Sequence, residues 1–294
     1  METAAKKSFS KIGFSYLMLG ITSLIAEILI FNIVGPYVPE ILIDKNLMIS
    51  ISALCTYIIP IPVFLYLMRK IPKVTIPKKS LGLQNFLICF CITMFLMYVG
   101  NLIGLEITEI IGNFKHSAVP NPVSELISNS SIWINIFLIT IIGPIFEEIF
   151  FRKILIDRTI RYGPKISILL SGLLFGLFHG NLNQFFYAFF MGSFFAFIYI
   201  KTGKIIYPIA LHILTNLQGS VISLFASNQI EFATIYSIII LAIVLLGVIF
   251  SLLNYEKLKT LKNYIKKPLK TSILNWGMMS FIAVYIIEIV LTTI

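Results

Sequence analysis

The stretch GPIFEEIFFRKIL, Gly143 to Leu155, sets two adjacent carboxylates and an arginine into an otherwise oily segment. In a helix each residue turns about 100°, so Glu147 and Glu148 point in different directions and cannot share one task. Glu148 and Arg152 are four apart, on one face, with the acid on the amino side, the better orientation for an ion pair. The expectation is that Arg152 holds Glu148 while Glu147 faces a cavity; the reverse assignment of the two acids stays open.

The surroundings of this stretch decide the fold class. Of 294 residues, 58% are hydrophobic and only 12% charged, where a soluble domain carries about 25% charge. Apolar runs recur along nearly the whole chain, which implies an all-α, polytopic helical bundle in a membrane. With roughly 20 apolar residues needed per crossing, about eight to nine spans are expected, the fifth and sixth of them short: about 13–35, 47–68, 85–107, 131–156, 165–181, 184–200, 205–225, 231–253 and 272–293. The first follows a head with Lys6, Lys7 and Lys11 and lacks a small-residue cleavage site, so it reads as a retained helix. One integral domain, 1–294, is expected, with a catalytic core at 131–225.

Connections test this division. Arg69, Lys70, Lys73, Lys78 and Lys79 follow the second span; Arg158, Arg161 and Lys165 follow the fourth; six lysines from Lys257 to Lys270 follow the eighth. The alternate gaps are poor in base. Short loops rich in Lys and Arg stay cytoplasmic, which puts the amino terminus inside a multi-pass cell-membrane protein. The net charge of +10 then fits an anionic lipid leaflet and calls for no nucleic-acid partner. Cys55, Cys89 and Cys91 stand without a CxxC spacing, so no disulfide framework or redox motif is expected.

Polar groups within spans are costly and default to function. Glu27 lies mid-span in the first helix, where a partner on another helix or a wet crevice explains it; Asn32 and Asn101 read as interhelical hydrogen bonders. His116 falls in a polar loop. His179, in LLFGLFHGNLNQ, and His212, in YPIALHILTN, lie in or beside spans. His212 and Asn216 share one helix face, as do Phe175 and His179. Pro144 and Pro208 precede the acidic pair and His212, and both helices are expected to kink there. Gly172, Gly176 and Gly180 permit close helix approach. Depth is a tension: His179 falls roughly 8–12 Å nearer the outer face than Glu147 by helical rise, unless its helix starts below the surface at the Gly163–Pro164 break.

If Glu147, His179, His212 and Asn216 converge, they can hydrolyse an acyl bond without a side-chain nucleophile. A carboxylate in apolar surroundings suits general-base work near neutral pH. Glu147 would take a proton from a water positioned by His179, and His212 with Asn216 would meet the developing oxyanion. A zinc version would use Glu147, His179 and His212 with water in the fourth place. The fixed-spacing H-E-x-x-H signature is absent, and metal-free chemistry is favoured.

Three motifs appear in order: EEIFFR at Glu147–Arg152, FGLFH at Phe175–His179 and HILTN at His212–Asn216. Together they resemble the EExxxR, FxxxH and HxxxN motifs of the CAAX protease and bacteriocin-processing (CPBP/Abi) family, whose members include type II CAAX prenyl endopeptidases. The resemblance implies an intramembrane protease acting on a membrane-associated peptide or protein. It implies Glu147 as the water-activating glutamate, His179 as its partner, His212 and Asn216 at the oxyanion, and Glu148 with Arg152 in support. Lys153 departs from the pattern, in which a small residue follows the arginine. Two other classes stay open: a noncatalytic scaffold or bacteriocin-immunity protein, and a proton-coupled transporter, against which no internal repeat of spans is seen.

Overall fold

A computed structural model describes residues 2–227 and 230–294. Nine principal helices organise them: α1 Glu2–Tyr37, α2 Lys45–Met68, α3 Leu83–Lys115, α4 Ile132–Tyr162, α5 Pro164–Phe178, α6 Leu182–Thr202, α7 Ile206–Phe225, α8 Ile230–Lys257 and α9 Trp276–Thr293. Among the described residues, eight of these are long and apolar enough to cross a bilayer. The exception puts the count at the lower end of the expected eight to nine spans. Helix α5 has 15 residues, about 22 Å at 1.5 Å per residue, against a hydrocarbon core of about 30 Å.

Backbone chemistry sets that short length. Gly163, at φ 125°, turns the chain before Pro164, and Gly180, at φ 64°, turns it again after His179. Both are left-handed positions that glycine occupies without steric cost. The same turns remove the depth tension. Helix α4 runs 15 residues beyond Glu147 to Tyr162, and α5 climbs back 15 residues from Pro164 to His179, so the hairpin returns His179 to the level of Glu147.

Helix ends carry the expected caps. Asn181 Oδ1 accepts from the Gln184 N–H at the start of α6, and Asn275 Oδ1 accepts from the Met278 N–H at the start of α9. Each satisfies a donor that the first helical turn leaves free. Helices α5 and α6 pack along their length. A Cβ at Gly172 would collide with Ser193 Oγ, and one at Gly176 would lie 2.9 Å from the Phe185 carbonyl. Gly172 and Gly176 are therefore the surface against which α6 lies, while Gly180 faces Glu288 of α9.

Two polar readings change. Asn32 Nδ2 donates to the Ile28 carbonyl of its own helix, not to a neighbour. Pro208 falls in the first turn of α7, where its missing N–H is unpaired in any case, so it does not kink the helix ahead of His212. Around Pro144 the change is of another kind. Wide π-helical turns at Asn135–Ile142 and Ile149–Ile154 flank the short α-helical piece Gly143–Glu148. Such turns are rare and cluster at functional sites.

Candidate active site

Four helices meet around the acidic pair. Arg152 Nε lies 2.8 Å from Glu148 Oε2, one turn along α4, with both side chains fully buried. The approach is electrostatic more than a well-aligned hydrogen bond, because the guanidinium is also turned toward aromatic faces. Its Cζ sits 4.3 Å from the Phe175 ring centroid and 5.5 Å from that of Phe195. These cation–π contacts give the buried charge a second source of stabilisation.

Glu148 also reaches α7. Its Oε1 accepts a hydrogen bond of 2.9 Å from His212 Nδ1. An ionised carboxylate can only accept, so Nδ1 carries a proton and Nε2 is directed elsewhere. It faces Glu147 Oε2 at 3.6 Å, too long for a direct hydrogen bond. Glu147 keeps 19% side-chain exposure, against none for Glu148. The neighbouring acids thus occupy different settings: one is locked between arginine and imidazole, the other lies at an accessible edge.

Helix α2 supplies a residue that the motifs do not contain. Tyr57 donates its hydroxyl to Glu147 Oε1 at 2.7 Å, and its ring stacks on Phe146 at 5.6 Å and 14°. One carboxylate oxygen is therefore tethered while the other stays open. A tyrosine in the apolar run ISALCTYIIP was a usable sequence signal, because a buried hydroxyl needs a partner. Which partner could not be read, since 90 residues separate the two.

His179 caps α5, and its Nδ1 bonds the Phe175 carbonyl at 2.8 Å. A carbonyl can only accept, so Nδ1 holds the proton and the neutral ring presents the Nε2 lone pair. The Phe175 ring meets both imidazoles nearly edge-on, with centroids 4.8 Å from His179 and 5.8 Å from His212. His179 lies within electrostatic range of Glu147 and His212. Behind it, Asn181 Nδ2 donates to the His179 carbonyl and to Gln184 Oε1, and Gln184 donates to the Tyr187 hydroxyl.

Asn216 links the third motif to the first through the backbone. Its Nδ2 donates to the Ile139 carbonyl at 2.9 Å. In the π register that carbonyl would pair with the N–H five residues on, at position 144, and proline has none. The asparagine fills that place and leaves its second amide proton free. Nearby, Thr140 and Ser220 hydroxyls pair at 3.0 Å, joining α4 to a π-helical stretch of α7 at Leu217–Ile222. Glu27, Asn101 and the exposed His116 take no part in this cluster.

Both imidazoles have Nδ1 engaged and Nε2 free, the arrangement that metal-ligating histidines show. Among the described residues, however, no three His, Cys, Asp or Glu side chains are grouped closely enough to hold a metal ion.

Comparison with known proteins adds ancestry to this geometry. The family described as type II CAAX prenyl endopeptidase Rce1-like matches residues 129–218, which contain all three motifs. The putative membrane peptidase YdiL of Bacillus subtilis is 28% identical over 219 residues, covering 72% of this chain and 87% of the relative. The membrane-embedded CAAX protease MroQ of Staphylococcus aureus is 31% identical over 122 residues, covering 39% of this chain and about half, 49%, of that relative. No solved structure matches. Tyr57 lies outside the family-matched region.

Proposed function

We propose that the chain is an intramembrane endopeptidase of glutamate type, a reading supported by its similarity to the CAAX/Abi, Rce1-like membrane proteases. The substrate is a membrane-associated peptide or protein. The observation that carries the reading is the contrast at the acidic pair: Glu147 Oε2 stands open 3.6 Å from His212, while Glu148 is closed by Arg152 and His212.

In this reading a water lies between Glu147 Oε2 and His179 Nε2. Glu147 takes one proton as the water oxygen attacks the scissile carbonyl carbon, and the carbonyl π electrons move to oxygen. For this role His212 carries a second proton, on Nε2, besides the one on Nδ1, and with the free amide proton of Asn216 it stabilises that oxyanion. Collapse of the tetrahedral intermediate breaks the C–N bond, and Glu147 returns its proton to the departing amine. Tyr57 holds Glu147 Oε1 so that the other oxygen keeps its aim. Glu148 and Arg152 orient His212 from behind and do not touch substrate. In this reading the amino terminus and the opening of the site face the cytoplasm, which the Lys and Arg distribution supports.

A zinc-dependent version through Glu147, His179 and His212 is favoured by the two free Nε2 atoms. As they stand the three are not grouped closely enough to hold an ion, so this version requires them to draw together; the ion would then supply Lewis-acid polarisation of the carbonyl. One experiment separates the readings. Cleavage of a candidate precursor in membranes is followed for wild type and Glu147→Gln, with metal content and chelator sensitivity measured on the same preparations. The glutamate reading expects cleavage lost in the variant and full wild-type activity without metal. Activity that chelation abolishes and zinc restores supports the metal version. Cleavage unchanged in Glu147→Gln overturns both.

A further inference from the structure

Away from the acidic pair, a groove of about 420 Å³ opens between the amino-terminal ends of α1 and α9. Lys7, Ser10, Lys11 and Phe14 line it from α1, and Trp276 and Ser280 from α9. The four α1 residues follow helical spacing and share one face. Gly277 brings the two helices together: a Cβ there would strike the Ser10 carbonyl, and its N–H donates to Ser10 Oγ at 3.0 Å. Ser10 therefore spends its acceptor on the helix contact and keeps its hydroxyl proton to donate. Lys7 and Lys11 are exposed, and among the described residues neither ammonium joins an ion pair.

The groove combines unpaired cations and hydroxyls with apolar walls, which is the chemistry of a phosphate ester attached to hydrocarbon. Its depth agrees. Helix α1, at 36 residues, is about 54 Å long, so its ends reach beyond a hydrocarbon core of about 30 Å. Trp276, 85% exposed at the first turn of α9, has the amphipathic ring that settles at headgroup level. Phe14, 48% exposed, lies two turns along α1 from Lys7 and beside Gly277 of α9, on the side of the groove where acyl chains begin. We propose that this groove binds the headgroup of an anionic phospholipid, with Lys7 and Lys11 on the phosphate and Phe14 and Trp276 against the first carbons of the chains. The site is independent of the protease reading.

The test uses the full chain in uncharged detergent, titrated with phosphatidylglycerol or phosphatidylcholine, with bound lipid counted by native mass spectrometry. Phosphatidylglycerol is expected to bind more tightly. Lys7→Gln/Lys11→Gln is expected to weaken it roughly thirtyfold, the effect of two lysines at a headgroup, with phosphatidylcholine binding unchanged. Lys7→Arg/Lys11→Arg retains the preference, as does the control Lys78→Gln/Lys79→Gln, beside the far end of α6. Ser280→Phe, which fills the groove without altering charge, removes it. Wild-type preference in the double glutamine variant overturns the proposal. So does inorganic phosphate that displaces the lipid at equal concentration, because the ligand is then a free anion.

Discussion

Helices α6 and α8 both qualify as membrane spans, yet they are built on opposite terms. In its most apolar window, α6 has 44% of residues buried within the protein, and α8 has 6%. The more buried helix is also the less apolar one, as it is for α7. A soluble core would show the reverse. In a bilayer the hydrocarbon itself solvates oily side chains, so α8 needs no protein cover. Polar groups do need it, and the least apolar spans withdraw to the interior with their histidines, amides and hydroxyls. The site sits where it does because that interior is the place where charge can be held.

The contrast can be broken at several points. The largest effect belongs to the locked ion pair. Arg152→Ala leaves Glu148 and its histidine partner buried without a counter-charge, and should cost about 3–5 kcal/mol, read as a fall in melting temperature in detergent. Gly172→Leu forces α6 away from α5 across Ser193 and should cost about 1–3 kcal/mol by the same measurement. Tyr57→Phe acts on chemistry instead. Losing one hydrogen bond to the carboxylate should lower kcat about tenfold with KM and melting temperature unchanged; a shift in KM alone would make Tyr57 a substrate contact. The smallest effect is expected on α8. Leu252→Ala, at a site 73% exposed, should stay within about 0.5 kcal/mol of wild type. A large loss there would mean that α8 faces protein, and the comparison with α6 would fail.

Legibility in the sequence follows the same division. Apolar length located the spans to within a few residues except at three ends: α1 starts at Glu2 and not near 13, α3 runs to Lys115 and not 107, and α4 to Tyr162 and not 156, because polar and charged residues can continue a helix without being oily. The short α5 reads as a span at 165–181 with the Gly163–Pro164 break before it; the turn at Gly180 that ends it is not legible, because hydropathy does not register a glycine turn. Within the site, the Glu148–Arg152 pair was readable from spacing on one helix. Tyr57 was readable only as a buried hydroxyl in need of a partner; that the partner is Glu147 was not, since it lies on another helix. The bond from Asn216 to Ile139 was equally hidden: it depends on a π turn that displaces the carbonyl register around Pro144, and residue spacing carries no sign of that turn.

The account rests on a division of labour between two adjacent glutamates, and the direct measurement is to neutralise each in turn, recording cleavage and melting temperature together. Glu147→Gln should lose about 10²–10⁴ of the cleavage rate and keep the wild-type melting temperature. Glu148→Gln should lower the melting temperature, because Arg152 and His212 lose the charge they pack against. A Glu148→Gln protein as stable as wild type but inactive, beside a Glu147→Gln protein that still cleaves, would assign the base to the other acid and contradict the account.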